Sequence, residues 1–161
     1  MKVCFVCLGN ICRSPMAEYI FKDLLTKENI KLDIEVDSKA TSYEEEGNDI
    51  YYLAKEKLRE KGIPFDKRVV SVLTKDDYDK YDYIIGMDDN NLFDIKRIVG
   101  DDPKNKVYKL LDFVDSFKEI EDPWYTRDFE KAFQDIQAGC VGFLNYIRFD
   151  KESNRGDFKD K

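Results

Sequence analysis

The sequence predicts an α/β protein: one doubly wound parallel sheet with helices on both faces. Three observations predict it. Short apolar runs at residues 3–6, 83–87 and 107–111 are separated by stretches of helical period, the pattern of βα units joined by right-handed crossovers. Two of these runs, 3–6 and 83–87, are apolar at successive rather than alternate positions, as strands covered on both faces are. The 161 residues suffice for one domain with a proper core, and no linker, repeat or low-complexity segment divides them.

Residues 3–6 form the first strand and run into the loop Cys7-Leu8-Gly9-Asn10-Ile11-Cys12-Arg13-Ser14-Pro15. A hydroxyl N-cap at Ser14 and a proline at the first helical position then start a helix. It continues to about residue 29 with Met16, Tyr19, Ile20, Phe21 and Leu24 turned inward. Leu32, Ile34 and Val36 alternate with charged residues, which predicts an edge or half-exposed strand ending near Ser38. Residues 41–48 read as a polar, acidic surface loop. Residues 49–61 read as a second helix, stopped by Gly62 and Pro64.

The stretch 69–73 is β-rich but too short to assign a partner. Strand 83–87 leads to a helix capped from Asp88-Asp89-Asn90 and continuing through Val99, with Leu92, Ile95 and Ile98 inward. Strand 107–111 opens a long connection that contains Asp122-Pro123-Trp124-Tyr125. Phe129, Phe133, Ile136, Cys140, Phe143 and Ile147 recur at steps of four and three, one core-facing stripe on a last helix from about 128 to 149. The domain is expected to span 1–149, with the charged residues 150–161 as a frayed tail.

Composition narrows the function. With 27 basic and 34 acidic residues the net charge is −7, which argues against a general nucleic-acid role. A bound anion must then be held by a local site, against the overall field. No apolar run approaches a membrane span, and the chain begins a strand almost at once. A cytoplasmic monomer without membrane association is expected. Three of the four cysteines (Cys4, Cys7, Cys12, Cys140) crowd into nine residues, unlike a disulfide framework, so they read as reduced thiols.

The chain contains no His. That excludes a Ser-His or Cys-His couple and leaves proton transfer to Asp, Glu, Lys, Tyr or Cys. Cys4 and Cys7 make a C-x-x-C, but residues three apart on a strand face opposite ways. No metal or other cofactor is expected, and Cys4 and Cys140 read as buried core thiols.

The loop after the first strand lies at the carboxyl edge of the sheet, where such folds bind ligands. Gly9 and Asn10 tolerate positive φ, so the N–H groups of Leu8, Gly9, Asn10, Ile11 and Cys12 can converge on an anion beside the helix N-terminus. Arg13 adds a planar fork suited to two phosphate oxygens. The same field favours Cys7 as a thiolate placed for in-line attack, and Ser14 can donate a hydrogen bond to it. One carboxylic acid can protonate a leaving oxygen and later activate water. Asp122, on the same sheet edge and stiffened by Pro123, fits that role, although Asp before Pro is also an ordinary turn residue. Trp124 and Tyr125 either wall a cleft that stacks on an aromatic leaving group or cover the core.

These residues carry a family resemblance. Cys7-Leu8-Gly9-Asn10-Ile11-Cys12-Arg13-Ser14-Pro15 resembles the signature loop of the low-molecular-weight protein tyrosine phosphatases. The likeness extends through Val36-Asp37-Ser38-Lys39-Ala40-Thr41-Ser42, Gly62-Ile63-Pro64, Tyr83-Ile84-Ile85-Gly86-Met87-Asp88 and Asp122-Pro123-Trp124-Tyr125. It implies a four-stranded parallel sheet and hydrolysis of phosphotyrosine in protein substrates through a cysteinyl-phosphate, without metal. Inorganic phosphate would be product and inhibitor. Cys7 would be the nucleophile, Arg13 the phosphate binder and Asp122 the general acid. Asn10, Ser14 and Ser38 would support the loop, and Cys12 would pair reversibly with Cys7 on oxidation.

Two features depart from the family pattern. Members often carry a His after Gly-Ile-Pro that braces the loop asparagine; here Phe65-Asp66-Lys67-Arg68 follows, so Asn10 is braced differently or more weakly. The variable loop Ser42-Tyr43-Glu44-Glu45-Glu46-Gly47 is acidic; its glutamates are solvated or select basic substrates, and Tyr43 is a rim contact or an ordinary loop residue. Other readings are a thiol-coupled arsenate reductase, a protein-arginine phosphatase and a phosphate-binding interaction module. No cysteine lies between Cys12 and Cys140 to relay a disulfide for the first. The resemblance implies Thr at the position of Ile11 for the second.

Overall fold

The computed structural model describes residues 1–155, with side chains through residue 149. Its sheet has four parallel strands in the order β2-β1-β3-β4: β1 (Lys2–Cys7), β2 (Glu35–Ala40), β3 (Tyr83–Gly86) and β4 (Val107–Lys109). The predicted fold class and strand number hold. β1 is central. Val3, Phe5 and Cys7 face α1 (Arg13–Lys27), α2 (Tyr52–Glu60) and the long α6 (Phe129–Arg155); Cys4 and Val6 face the smaller cluster of α4 (Asp89–Val99) with Leu73, Tyr78 and Tyr81. This alternation explains why the run is apolar at every position. Among the described residues, no helix is long and apolar enough to cross a membrane.

Chain order reverses at β1: the first crossover leads to β2 on one side, and the chain then returns to β3 on the other. The carboxyl end of β1 is therefore the switch point of the sheet, and Cys7 is its last residue.

Several boundaries move, each for a local reason. α1 starts at Arg13 with Cys12 as N-cap and no side-chain cap, so Ser14 is not the cap and Pro15 is not the first helical residue. The Ser14 hydroxyl is engaged by Cys7 and Asn10 instead. Pro15 still falls in the first turn, where a missing N–H costs nothing. β2 lies later than the apolar alternation indicates: Val36, Ser38 and Ala40 face inward, and Leu32 and Ile34 precede the strand. Polar Ser38 is buried because its hydroxyl donates to Glu18 Oε1 at 2.6 Å.

α2 begins three residues after the expected start, since the Asp49 carboxylate accepts from the Ile50 and Arg68 N–H groups and from Lys55. It ends in a Schellman motif, with Gly62 at φ 71° and Ile63 N–H on Leu58 O at 2.9 Å. β3 stops at Gly86, because the Met87 N–H turns to Asn91 Oδ1. After β4, residues 110 and 111 leave the sheet for a 3-10 turn, Leu110–Val114. The stretch 69–73 contributes a single bridge, Val72 to Ala40.

Two short helices were not anticipated, α3 (Asp77–Lys80) and α5 (Pro123–Thr126). α6 packs its aromatic stripe on the core, and Gly139 and Gly142 let it approach the 3-10 turn; an added Cβ on Gly142 would lie 2.6 Å from Phe113 O. α6 continues to Arg155, and residues 156–161 of the expected tail lie outside the described residues.

Candidate active site

The loop between Cys7 and Arg13 is built around Asn10, which takes the left-handed conformation (φ 57°). Gly9 does not, contrary to expectation; asparagine is one of the few side chains that adopt this region readily. The turn at Asn10 folds the loop back over the Cys7 sulfur. Asn10 N–H points at Sγ from 3.3 Å, Ser14 N–H from 3.4 Å, and Ser14 Oγ lies 3.1 Å away. Cys7, Asn10 and Ser14 are all buried.

Hydrogen positions follow from the chain of partners. Arg68 has only donors, and its Nη2 lies 2.8 Å from Asn10 Oδ1. The amide NH2 of Asn10 must then face Ser14, to which it donates at 2.6 Å. The Ser14 hydroxyl is then free to turn its proton to Cys7 Sγ, at which two N–H groups already point. Arg68 also donates to Asn10 O and Ser38 O, and its Nε sits 3.7 Å from Glu18 Oε1. Glu18 is held in turn by Ser38 Oγ and Lys22. Arg68 is thus the brace of Asn10, from the segment where no His was found. Ser38 reaches the loop through it.

Arg13 is buried beneath the loop. Its Nη1 donates to Asp88 Oδ2 and to Ile120 O, both at 2.7 Å, while Nη2 lies 3.5 Å from Asp122 Oδ2. Burial pulls its pKa down, but Cys7, Asp122 and Asp88 outweigh that and raise it above the ordinary value. Asp88 serves two purposes, since its Oδ1 also accepts the Asn91 N–H as the N-cap of α4. Cys12 stays a thiol: burial pushes it up, as do Cys7 and Asp122.

Above the loop is a cleft of about 110 Å³, walled by Asp122, Trp124 and Tyr125 on one side and by Glu44 and Glu45 on another. Leu8, Gly9, Ile11 and Cys12 complete its floor with Cys7, Asn10 and Arg13. Asp122 caps α5, its Oδ1 accepting the Trp124 N–H at 3.0 Å. Tyr43 is not in this cleft; it lines a neighbouring groove with Thr41, Leu73 and Ile98 on the far side of Leu8. Glu44 and Glu45 stand where an aromatic rim was considered. The arrangement sets a sulfur with two N–H groups aimed at it and a buried guanidinium at the floor of a cleft that one aspartate carboxyl group overlooks.

Reading the sequence missed Arg68, Glu18 and Tyr51. Tyr51 N–H donates to Ile11 O at 2.9 Å and its ring meets Trp124 edge to face with centroids 4.8 Å apart. The only signal for Arg68 was a cation in the segment searched for a His.

Comparisons with known proteins point to one family. The family model described as low molecular weight phosphotyrosine protein phosphatase matches residues 2–154. The chain is 38% identical over 154 residues to the low molecular weight protein-tyrosine-phosphatase YfkJ of Bacillus subtilis, covering 94% of this chain and 99% of that protein. The crystal structure of YfkJ superposes with a TM-score of 0.89, covering 94% and 96%. The human low molecular weight phosphotyrosine protein phosphatase is 42% identical over 147 residues, covering 88% and 92%. A Drosophila structure described as an arginine phosphatase superposes at TM-score 0.82 with 29% identity, covering 91% and 98%.

Proposed function

The chain belongs to the low molecular weight phosphotyrosine protein phosphatase family, and from that premise we propose that it hydrolyses phosphotyrosine in proteins through a cysteinyl-phosphate. The Arg13 fork and the loop N–H groups bind the phosphate oxygens above Cys7. The Cys7 thiolate attacks phosphorus in line while the P–O bond to the phenol breaks, and Asp122 gives its proton to the departing oxygen. Asp122, now a carboxylate, takes a proton from water as that water attacks the phosphorus. Cys7 leaves as a thiolate, inorganic phosphate departs, and accumulated phosphate inhibits by occupying the same loop. The Ser14 hydroxyl stabilises the thiolate at both ends of the cycle. Asn10 and Ser38 support the loop through Arg68. No cofactor enters the scheme.

One observation carries this reading: the N–H groups of Asn10 and Ser14 point at the Cys7 sulfur from 3.3 and 3.4 Å, and Ser14 Oγ lies 3.1 Å from it, directly beside a buried Arg13. Donors to sulfur stabilise it as an anion, and an anion beneath an anion-binding loop is a nucleophile for phosphorus. In the same reading residues 1–149 are the phosphatase domain, residues 150–161 its charged extension, and oxidation joins Cys7 to Cys12 and stops turnover reversibly. The remaining thiols do not compete, since burial pushes both Cys4 and Cys140 up.

The test is Cys7→Ser. Hydrolysis of a phosphotyrosine peptide should fall by about four orders of magnitude or more, while inorganic phosphate still binds. Undiminished turnover overturns the scheme. A panel with phosphoarginine and phosphoserine peptides, and arsenate with a thiol reductant, separates the tyrosine reading from its alternatives. Ile11, a bulky apolar residue on the cleft floor, favours the aryl ester.

A further inference from the structure

The aromatic wall of the cleft stands on a helix too short to support itself. α5 has four residues, Pro123–Thr126, and a single turn has no stability of its own. Its front end is held by Asp122 and by the buried Pro123. Its back end stops at Arg127, in the left-handed region at φ 63°, a conformation that ordinary side chains avoid.

Arg127 supplies the missing anchor. Its Nη2 donates to Tyr51 Oη at 3.0 Å and its Nη1 to Trp124 O at 3.2 Å. The guanidinium carbon lies 5.6 Å from the centre of the Tyr51 ring, 6.0 Å from Trp124 and 5.8 Å from Phe129. Tyr51 stacks on Phe129 with centroids 6.2 Å apart. Three rings therefore surround one cation of the chain itself, within the range of cation–π attraction. Among the described residues Arg127 has no carboxylate within ion-pair distance, so its charge is directed at rings. Tyr51 is tied to the cleft floor through its N–H on Ile11 O. A continuous path of contacts then runs from the floor through Tyr51 and Arg127 to Trp124.

We propose that Arg127 is a positioning residue that holds Trp124 as the aryl-binding wall and so sets the preference for aryl over alkyl phosphate esters. The proposal rests on the phosphotyrosine reading of the same cleft. Arg127 touches no reacting atom, so it acts on substrate binding and not on bond breaking.

Trp124 is the single tryptophan of the chain, so its fluorescence reports on the wall without any turnover. In Arg127→Ala, Trp124 emission should shift to the red and its anisotropy should fall. KM for an aryl phosphate should rise about three- to tenfold, the scale of one ring contact with its cation. The value of kcat should stay within about twofold, and KM for an alkyl phosphate should not change. Arg127→Lys keeps the charge over the rings but not the two-pronged bond, and should fall between. Unchanged emission and anisotropy in Arg127→Ala overturn the proposal, as does an equal rise in KM for aryl and alkyl esters. If the unaltered protein fails to hydrolyse phosphotyrosine, the underlying reading fails, and the fluorescence still decides whether Arg127 holds Trp124.

Discussion

The floor and the wall of the cleft are built on opposite plans. On the floor, Asn10 and Ser14 are fully buried and Arg13 is 2% exposed, and the side chains of Arg68, Asn10 and Ser14 form one linked chain of hydrogen bonds. On the wall, Trp124 is 41% and Tyr125 73% exposed, and the supports are a one-turn helix, ring contacts and an exposed arginine. A buried and fully satisfied polar network has one low-energy arrangement. An exposed wall held by small contacts can adjust. Under the proposed scheme the difference separates two tasks: bonds at sulfur and phosphorus require one geometry, whereas the protein chain around a phosphotyrosine varies from one substrate to another.

This contrast can be broken at four points. Asp122 belongs to both regions, capping α5 while facing Arg13. Asp122→Ala should lower kcat for phosphotyrosine about 10²- to 10⁴-fold, the usual range for a general acid. The loss should shrink as the leaving group becomes more acidic, measured across a series of substituted aryl phosphates. A loss independent of the leaving group would place Asp122 with the wall alone.

Arg68→Ala strikes the floor without touching the cleft. It leaves buried Asn10 Oδ1 without its donor, worth about 1–3 kcal/mol, and frees the amide to turn. We expect kcat to fall about tenfold or more with KM nearly unchanged, and Arg68→Lys to recover part of it. A loss of stability alone, with the variant fully active when folded, would show the floor to be less dependent on its brace.

At the rim, the double change Glu44→Gln and Glu45→Gln should reduce the preference in kcat/KM for peptides with basic over acidic flanks. The expected change is about two- to fivefold, the scale of ~0.2–1 kcal/mol for exposed charges, and salt should shrink it. No change in the preference would mark the acidic run as merely solvated.

The smallest effect is expected behind the wall, where Glu130 at the start of α6 binds Lys57 and Lys61 of the α2 region. Hydrogen bonds from Lys57, Lys61 and Gln134 lower its pKa from 4.5 to about 2. A depressed carboxylate stabilises the fold above its unfolded pKa and ceases to do so as pH falls through the folded one. Thermal midpoints of the protein and of Glu130→Gln should therefore differ at pH 6 and converge toward pH 2.

The two plans were unequally legible in the sequence. Cys7 and Arg13 are six positions apart at the end of a strand, so local spacing alone placed a thiol and a guanidinium around one loop. Asp122 could be found because Asp-Pro followed by two aromatics marks a stiff turn on the correct edge of the sheet. Arg68 lies 58 residues from Asn10, and nothing local says which cation of Lys67-Arg68 crosses back to the loop. The slip in β2 has the same origin: a hydropathy pattern cannot see that Ser38 is buried by meeting Glu18 of α1. Tyr43 was misleading because it is the only aromatic of its loop, while the adjacent Glu44 and Glu45 face the cleft.

The brace by Arg68 also makes the enzyme an unusually clean instrument for following protons. A guanidinium keeps its charge throughout the workable range, and the chain has no imidazole anywhere. No side chain then has an ordinary pKa between about 5 and 8, and the Arg68 guanidinium keeps the brace of the loop charged across that interval. The phosphate monoester of the substrate itself loses its second proton near pH ~6. A rate profile across this interval therefore records the substrate and the reacting groups, with no background titration from the scaffold that holds them.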